Sequence, residues 1–232
     1  MKPLTFSGED EIVDELLKAT SWQDNVEKDH GKLELKHELD LGPLTAIYRS
    51  VSSTTYRAFR KNGNTQPSVV FRTWAVERLY SGAFVKLEAV QTNRWYRDWA
   101  IDLGKDLDAE WDKRLGYRLE LPRALKLVNL LAKGLCAVFP LWPKKYKKIA
   151  PHMDVPLDKF SLRPLACIQS LTYLKLHNAS MGSIRNLEDY KKVQDVIRAL
   201  CKKAGVFPLT YDYLTWNSTH PKSTAGRMAA ES

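Results

Sequence analysis

The segment running from Leu121 to Val138, LPRALKLVNLLAKGLCAV, sets the strongest limit on how this chain can fold. Ala124, Leu125, Leu127, Val128, Leu130, Leu131, Leu135 and Val138 make a helix here apolar on nearly every side, with Pro122 suited to its first turn. Such a helix has to be covered by other elements, so the rest of the chain is expected to pack around it. Lys126 is the residue that conflicts with this environment. A lysine amine deprived of water in an apolar helix can act as a nucleophile. The competing reading is a side chain that snorkels from the first turn to solvent.

The chain continues into its most basic stretch, Trp142-Pro143-Lys144-Lys145-Tyr146-Lys147-Lys148. Residues 121–203 hold 16 Lys and Arg against 5 Asp and Glu, whereas the whole chain carries a net charge of +9. The remainder is therefore slightly acidic, and the basic part forms a polyanion-seeking region, because each cation placed near a phosphate releases condensed counterions. Surplus lysines that merely solubilise a surface would give the same count. Beyond the loop, Pro156-Leu157-Asp158 precedes Phe160, Leu162, Leu165 and Ile168, a spacing that makes Asp158 the N-cap of a helix. A capping carboxylate is also held rigidly by helix amides, which is what stabilising a developing positive charge requires.

Several chemistries are disfavoured. Cys136, Cys167 and Cys201 lie far apart without a CxxC pair, and the five histidines show no metal-ligand spacing. No metal or cofactor is therefore expected; the cysteines read as core thiols and His152 as a solvated loop residue. The early acidic residues Glu9, Asp10 and Glu11 do not suit a secretory signal, and no apolar run is long enough for a membrane span. The expectation is a soluble, cytoplasmic monomer with no membrane partner.

In chain order, the pattern predicts a helix over about 8–19 with Ser7 as cap, and a short strand at Lys32–Lys36. Helical intervals run from Leu44 to Arg60 and again over 68–80, ended by Ser81-Gly82. Helical periodicity continues after Phe84, a further short helix is expected at 108–115, and Gly116 is placed to end it. The fold class is all-α, with that strand as a possible exception. Trp74, Trp95, Tyr96 and Trp99 have two readings, as platforms for stacking a base or as core.

Three blocks in order then resemble the archaeal 8-oxoguanine DNA glycosylases, a divergent branch of the helix-hairpin-helix glycosylases. They are Leu125-Lys126-Leu127-Val128, Val155-Pro156-Leu157-Asp158, and a terminal block of Tyr190–Gln194 followed by Gly205–Trp216. The resemblance covers roughly 120–217. It implies a two-lobed helical architecture, divided here into an N-terminal lobe of residues 1–118, a catalytic lobe of 119–217 and a flexible tail of 218–232. It also implies that Lys126 is the Schiff-base lysine and Asp158 the catalytic aspartate, and that Asp212 and Trp216 contact the extruded base. The chain departs from the family in lacking a GxG turn around Leu121–Leu125, and in additional residues at His177–Ser183. Phosphate contact is therefore expected from Lys144, Lys145, Lys147 and Lys148.

The function so implied is excision of a modified base flipped out of duplex DNA, with or without strand cleavage at the resulting abasic site. Two substrates stand as expectations: 8-oxoguanine in DNA repair, or a hypermodified phage base such as glucosylated hydroxymethylcytosine in phage defence. A non-catalytic helical DNA-binding module would share the basic face without needing Lys126 or Asp158.

Overall fold

The computed structural model describes residues 4–19, 43–61, 66–138 and 148–217. All regular structure among them is helical, α or 3-10, with no strand, so the fold class is all-α. The strand expected at Lys32–Lys36, the cations Lys144, Lys145 and Lys147, and the tail from Ser218 lie outside the described residues. Two compact units form, a central one of residues 25–154 and a terminal one that joins residues 1–24 to 155–232. The boundary expected between residues 118 and 119 falls inside the central unit, between its two longest helices.

The central unit holds α2 (Pro43–Arg49), α3 (Ser53–Ala58), α4 (Pro67–Tyr80), α5 (Asn93–Leu115) and α6 (Leu121–Val138). The apolar helix α6 packs on α5 and α2, and α4 packs on α5. Ala124, Leu125, Leu127, Val128, Leu131 and Ala132 are fully buried, as the absence of a polar face demands. Helix α5 runs unbroken for 23 residues, so the separate helix expected at 108–115 is its last two turns. Gly104 does not interrupt it. A Cβ there would lie 3.0 Å from Leu121 Cδ1 and 3.2 Å from Leu125 Cδ2, so the missing side chain is what lets α6 approach. At the crossing of α6 and α2, a Cβ on Gly134 would meet the Ser50 Cβ at 2.8 Å. The expected stop at Gly116 is present, with the left-handed φ of 73° that a C-terminal glycine accommodates.

Between α5 and α6 the chain turns through Glu120, a non-glycine residue with a φ of 70°. Asp108 of α5 secures this turn: its Oδ1 accepts from the Leu119 amide at 2.8 Å and the Glu120 amide at 3.1 Å. The helical run expected from Leu44 to Arg60 is two short helices, because Ser52 starts the second by accepting from the Thr55 amide. Trp74, Tyr96 and Trp111 are fully buried and Trp99 nearly so. Trp74, Tyr96 and Trp99 thus serve as core, where each buried aromatic contributes about 2–3 kcal/mol of transfer free energy. The Trp74 indole also donates to Asp106 at 2.7 Å, and the Arg78 guanidinium clasps the same carboxylate, tying α4 to α5.

The terminal unit holds α1 (Glu9–Lys18), α7 (Lys159–Leu162), α8 (Leu187–Lys203) and α9 (Pro208–Asn217). Helix α1 packs on α8 and α9, and α9 also packs on α7. The N-cap of α1 is Gly8, one residue later than expected. Ser7 lies outside the helix, and its amide and hydroxyl both donate to the Glu11 carboxylate, at 2.7 and 2.8 Å. Pro164 follows α7 closely, and from Arg163 to Ser183 the backbone proceeds in short 3-10 turns rather than a longer helix. A ring nitrogen cannot donate to a continued α-helical ladder, so the turn tightens there.

Candidate functional site

Four residues carry the expected chemistry within the described structure: Lys126 in the central unit, and Asp158, Asp212 and Trp216 in the terminal unit.

Asp158 is the N-cap of α7, as its spacing predicts. Its backbone is extended, with a φ of −150°, and its Oδ1 accepts from the amides of Phe160 at 2.8 Å and Ser161 at 3.2 Å. Ser161 answers by accepting from the Asp158 amide at 2.8 Å, completing a reciprocal capping box. The segment leading into it is fixed as well. Gln194 of α8, almost wholly buried, accepts from the Val155 amide at 2.9 Å and donates to the Val155 carbonyl at 2.7 Å. The aspartate is therefore held from both sides, with its carboxylate half-buried.

Helix α9 reaches the same place. The Tyr211 hydroxyl donates to the Ser161 carbonyl at 2.7 Å, and burial pushes that hydroxyl well above its ordinary pKa, so it remains a donor. Trp216 meets Phe160 edge to face with ring centroids 5.7 Å apart, while the Lys159 ammonium lies 4.6 Å from the Phe160 centroid. Asp158, Phe160 and Trp216 thus belong to one assembly of α7 and α9. Asp212 and Trp216 differ despite their helical spacing: Asp212 is 9 % exposed and Trp216 is 42 % exposed. The tryptophan is part-exposed, whereas the acid is interior. The Thr215 hydroxyl, donating to the carbonyls of Tyr211 and Asp212, lies between them in sequence.

In the central unit, Lys126 is 9 % exposed, so most of its side chain is covered. One turn along α6 is Asn129, fully buried, whose Oδ1 accepts from the Tyr96 hydroxyl at 2.8 Å. The N-terminal part of α5 supplies further polar contacts. Arg97 donates to both oxygens of the fully buried Asp154, at 3.2 and 3.4 Å. His152, expected to be a solvated loop residue, sits in a 3-10 turn with its Nδ1 2.8 Å from Asn93 Oδ1. These are the residues that sequence reasoning passed over, because each is paired with a residue 33 to 59 positions away. Gln194 is similar, 39 positions from the backbone it holds.

Of the basic loop, only Lys148 is described, and it is exposed. Among the described residues no group of His, Cys, Asp and Glu is placed to hold a metal ion. Cys136 and Cys201 are buried thiols, the latter pushed up to about 12 by burial, so neither is a nucleophile. No described helix is long and apolar enough to cross a membrane. Neither a family model, nor a curated protein, nor a solved structure matches the chain.

Proposed function

We propose that the chain is a DNA glycosylase that extrudes a modified nucleotide and breaks its glycosidic bond. The observation that carries this reading is Lys126, nine-tenths buried in a helix whose other buried side chains are almost all apolar. Placing an amine there costs free energy that an exposed position would avoid, so such a residue is a candidate for chemistry rather than solubility. The rigid capping aspartate adds the second group the reaction needs. A carboxylate fixed by amides can stabilise charge without reorganising as the reaction proceeds.

In this mechanism the bond between C1′ and the base nitrogen lengthens while Asp158 stabilises the positive charge growing on the sugar. The Lys126 amine gives up its ammonium proton and attacks C1′, the base departs with the bonding electron pair and takes up a proton, and the amine nitrogen loses a second proton. Ring opening leaves an imine between Lys126 and C1′, from which β-elimination cleaves the strand. Trp216, with its exposed ring surface beside Phe160, stacks on the extruded base, and Asp212 contacts its polar edge.

Borohydride reduction in the presence of substrate tests this directly, because it converts the imine into a stable protein–DNA adduct. The arms are duplex oligonucleotides carrying 8-oxoguanine and phage DNA carrying glucosylated hydroxymethylcytosine, each with wild type, Lys126→Ala and Asp158→Asn. The expected result is an adduct and free base from one substrate, both lost in the variants. Base release that persists in both variants removes the assignment. DNA binding without adduct or base release on either substrate leaves a non-catalytic DNA-binding module.

A further inference from the structure

The terminal unit contains a polar cleft of about 650 Å³, bounded by the turns between Tyr173 and Ser183 and the start of α8. This lies within the roughly 300–1,000 Å³ range of ligand clefts. Its lining includes Lys175, Arg185, Ser180, Ser183 and Asn186. We infer that this cleft binds a phosphodiester of the DNA strand, and so forms a backbone contact separate from the lysine-rich loop. The inference rests on the proposed DNA substrate but not on the catalytic roles of Lys126 or Asp158.

The argument comes from which hydrogen-bonding capacity is already used. Ser180 Oγ accepts from the Gly182 amide at 3.2 Å, and Ser183 Oγ accepts from the Ser180 amide at 3.1 Å. Each hydroxyl therefore serves the turn as an acceptor and keeps its proton to donate. Asn186 caps α8 in the same way, its Oδ1 accepting from the Asp189 amide at 2.8 Å and its NH2 group remaining a donor. Lys175 and Arg185 are exposed cations with no ion-pair partner among the described residues. Lys175 projects from a left-handed backbone, with a φ of 50°.

Two hydroxyl protons, an amide, an ammonium and a guanidinium make a donor-rich rim, which suits a ligand that is anionic and offers only acceptors. The 17-residue helix α8 begins at this rim, and its amide end adds positive potential. The lining also includes one carboxylate, Asp189, and Glu188 adjoins it in sequence. Asp189 is buried and its Oδ1 accepts from the Tyr173 hydroxyl at 3.0 Å, while Glu188 is exposed on the same turn. Lys192, whose ammonium lies 4.6 Å from the Tyr173 centroid, adds a third cation. Tyr173 itself is 52 % exposed and offers a ring face beside the rim.

The test measures binding of a fluorescent duplex oligonucleotide across a range of salt concentrations for wild type and Lys175→Gln/Arg185→Gln. Both residues are exposed and neither substitution removes a turn contact, so an unchanged thermal melt verifies the fold. The expected result is a slope of log K against log salt that is shallower by about 2 in the variant, one per lost phosphate contact. Identical slopes and affinities for variant and wild type overturn the inference. Calorimetric titration with inorganic phosphate separates the sources: binding of phosphate that the variant loses, with no change in the DNA slope, identifies a small-anion site and overturns the DNA contact. Borohydride trapping in the same samples keeps the two proposals apart. A shallower slope without wild-type adduct or base release leaves the cleft standing and removes the glycosylase, whereas an adduct with unchanged slopes does the reverse.

Discussion

The two units immobilise their chemical residues by different means. In the central unit Lys126 is carried on a long helix whose position is set by volume, through the close approaches of α6 to α5 at Gly104 and to α2 at Gly134. In the terminal unit Asp158 opens a helix of only 4 residues, and its position is set by donors and acceptors: the box with Ser161, the Gln194 clamp on Val155 and the Tyr211 bond to Ser161. A packed core tolerates polar change at its edges but not added volume. A hydrogen-bonded turn tolerates the reverse. Stability should therefore respond to different kinds of substitution in each unit.

The largest effect expected is on catalysis. Lys126→Ala and Asp158→Asn should each lower base release by on the order of 10³-fold or more, the scale seen when a nucleophile or a preorganised stabilising group is removed. Single-turnover release of free base from the responsive substrate measures it. A loss confined to one variant would remove the other residue from the proposed reaction.

Next in size is a test of volume in the central unit. Gly104→Val should destabilise by about 3 kcal/mol in urea unfolding, since an added Cβ alone would lie 3.0 Å from Leu121 Cδ1 and 3.2 Å from Leu125 Cδ2, and valine adds two methyls beyond it. A cost below about 1 kcal/mol would mean that α6 can retreat, and that packing does not fix Lys126.

Much of the central unit is readable in the sequence because its determinants are local. The all-apolar pattern of α6 dictates burial, the 68–80 pattern gives α4 nearly to the residue, and Gly116 marks the end of α5. Asp158 is legible for the same reason: a cap depends on residues two and three positions away. The failures are long-range. Nothing near Asp108 in sequence marks it as the acceptor for the turn into α6, and nothing near Gln194 ties it to Val155. Trp95, Tyr96 and Trp99 carry equal weight as sequence, yet Tyr96 is buried against Asn129 while Trp95 lines a cleft with Asp98 and Asp102. Which face of an aromatic helix is covered depends on neighbours that periodicity does not name. The run of 3-10 turns after Pro164 likewise follows from packing rather than from propensity.

Asp108 is where the central unit borrows the terminal unit's method, and it should respond accordingly. Asp108→Ala should cost about 2 kcal/mol, because the buried Leu119 amide loses its acceptor and the Arg118 bond goes with it. The dependence on pH follows from the direction of its shift. Burial alone would raise this carboxyl, but bonds from Arg118 and from the amides of Leu119 and Glu120 outweigh that and hold it below its ordinary 3.8. The unfolded chain then binds the proton more readily, so this contribution is present above about pH 3.8 and is lost as pH falls through the lower folded value. Urea midpoints measured from neutral pH into this range should fall less steeply for Asp108→Asn than for wild type.

The smallest effect discriminates most finely, because it separates the two roles of Asp158. Asparagine caps helices about as well as aspartate, so Asp158→Asn keeps an oxygen for the amides of Phe160 and Ser161 and should unfold within a few tenths of a kcal/mol of wild type. Asp158→Ala removes that oxygen and should cost about 1 kcal/mol. If charge at this position performs chemistry, the two variants are equally inactive although only one is destabilised. If Asp158 is a cap and nothing more, activity follows stability, and Asp158→Asn keeps both. Chemical denaturation and base release measured on the same two proteins decide between a residue that only starts a helix and one that also acts on the sugar.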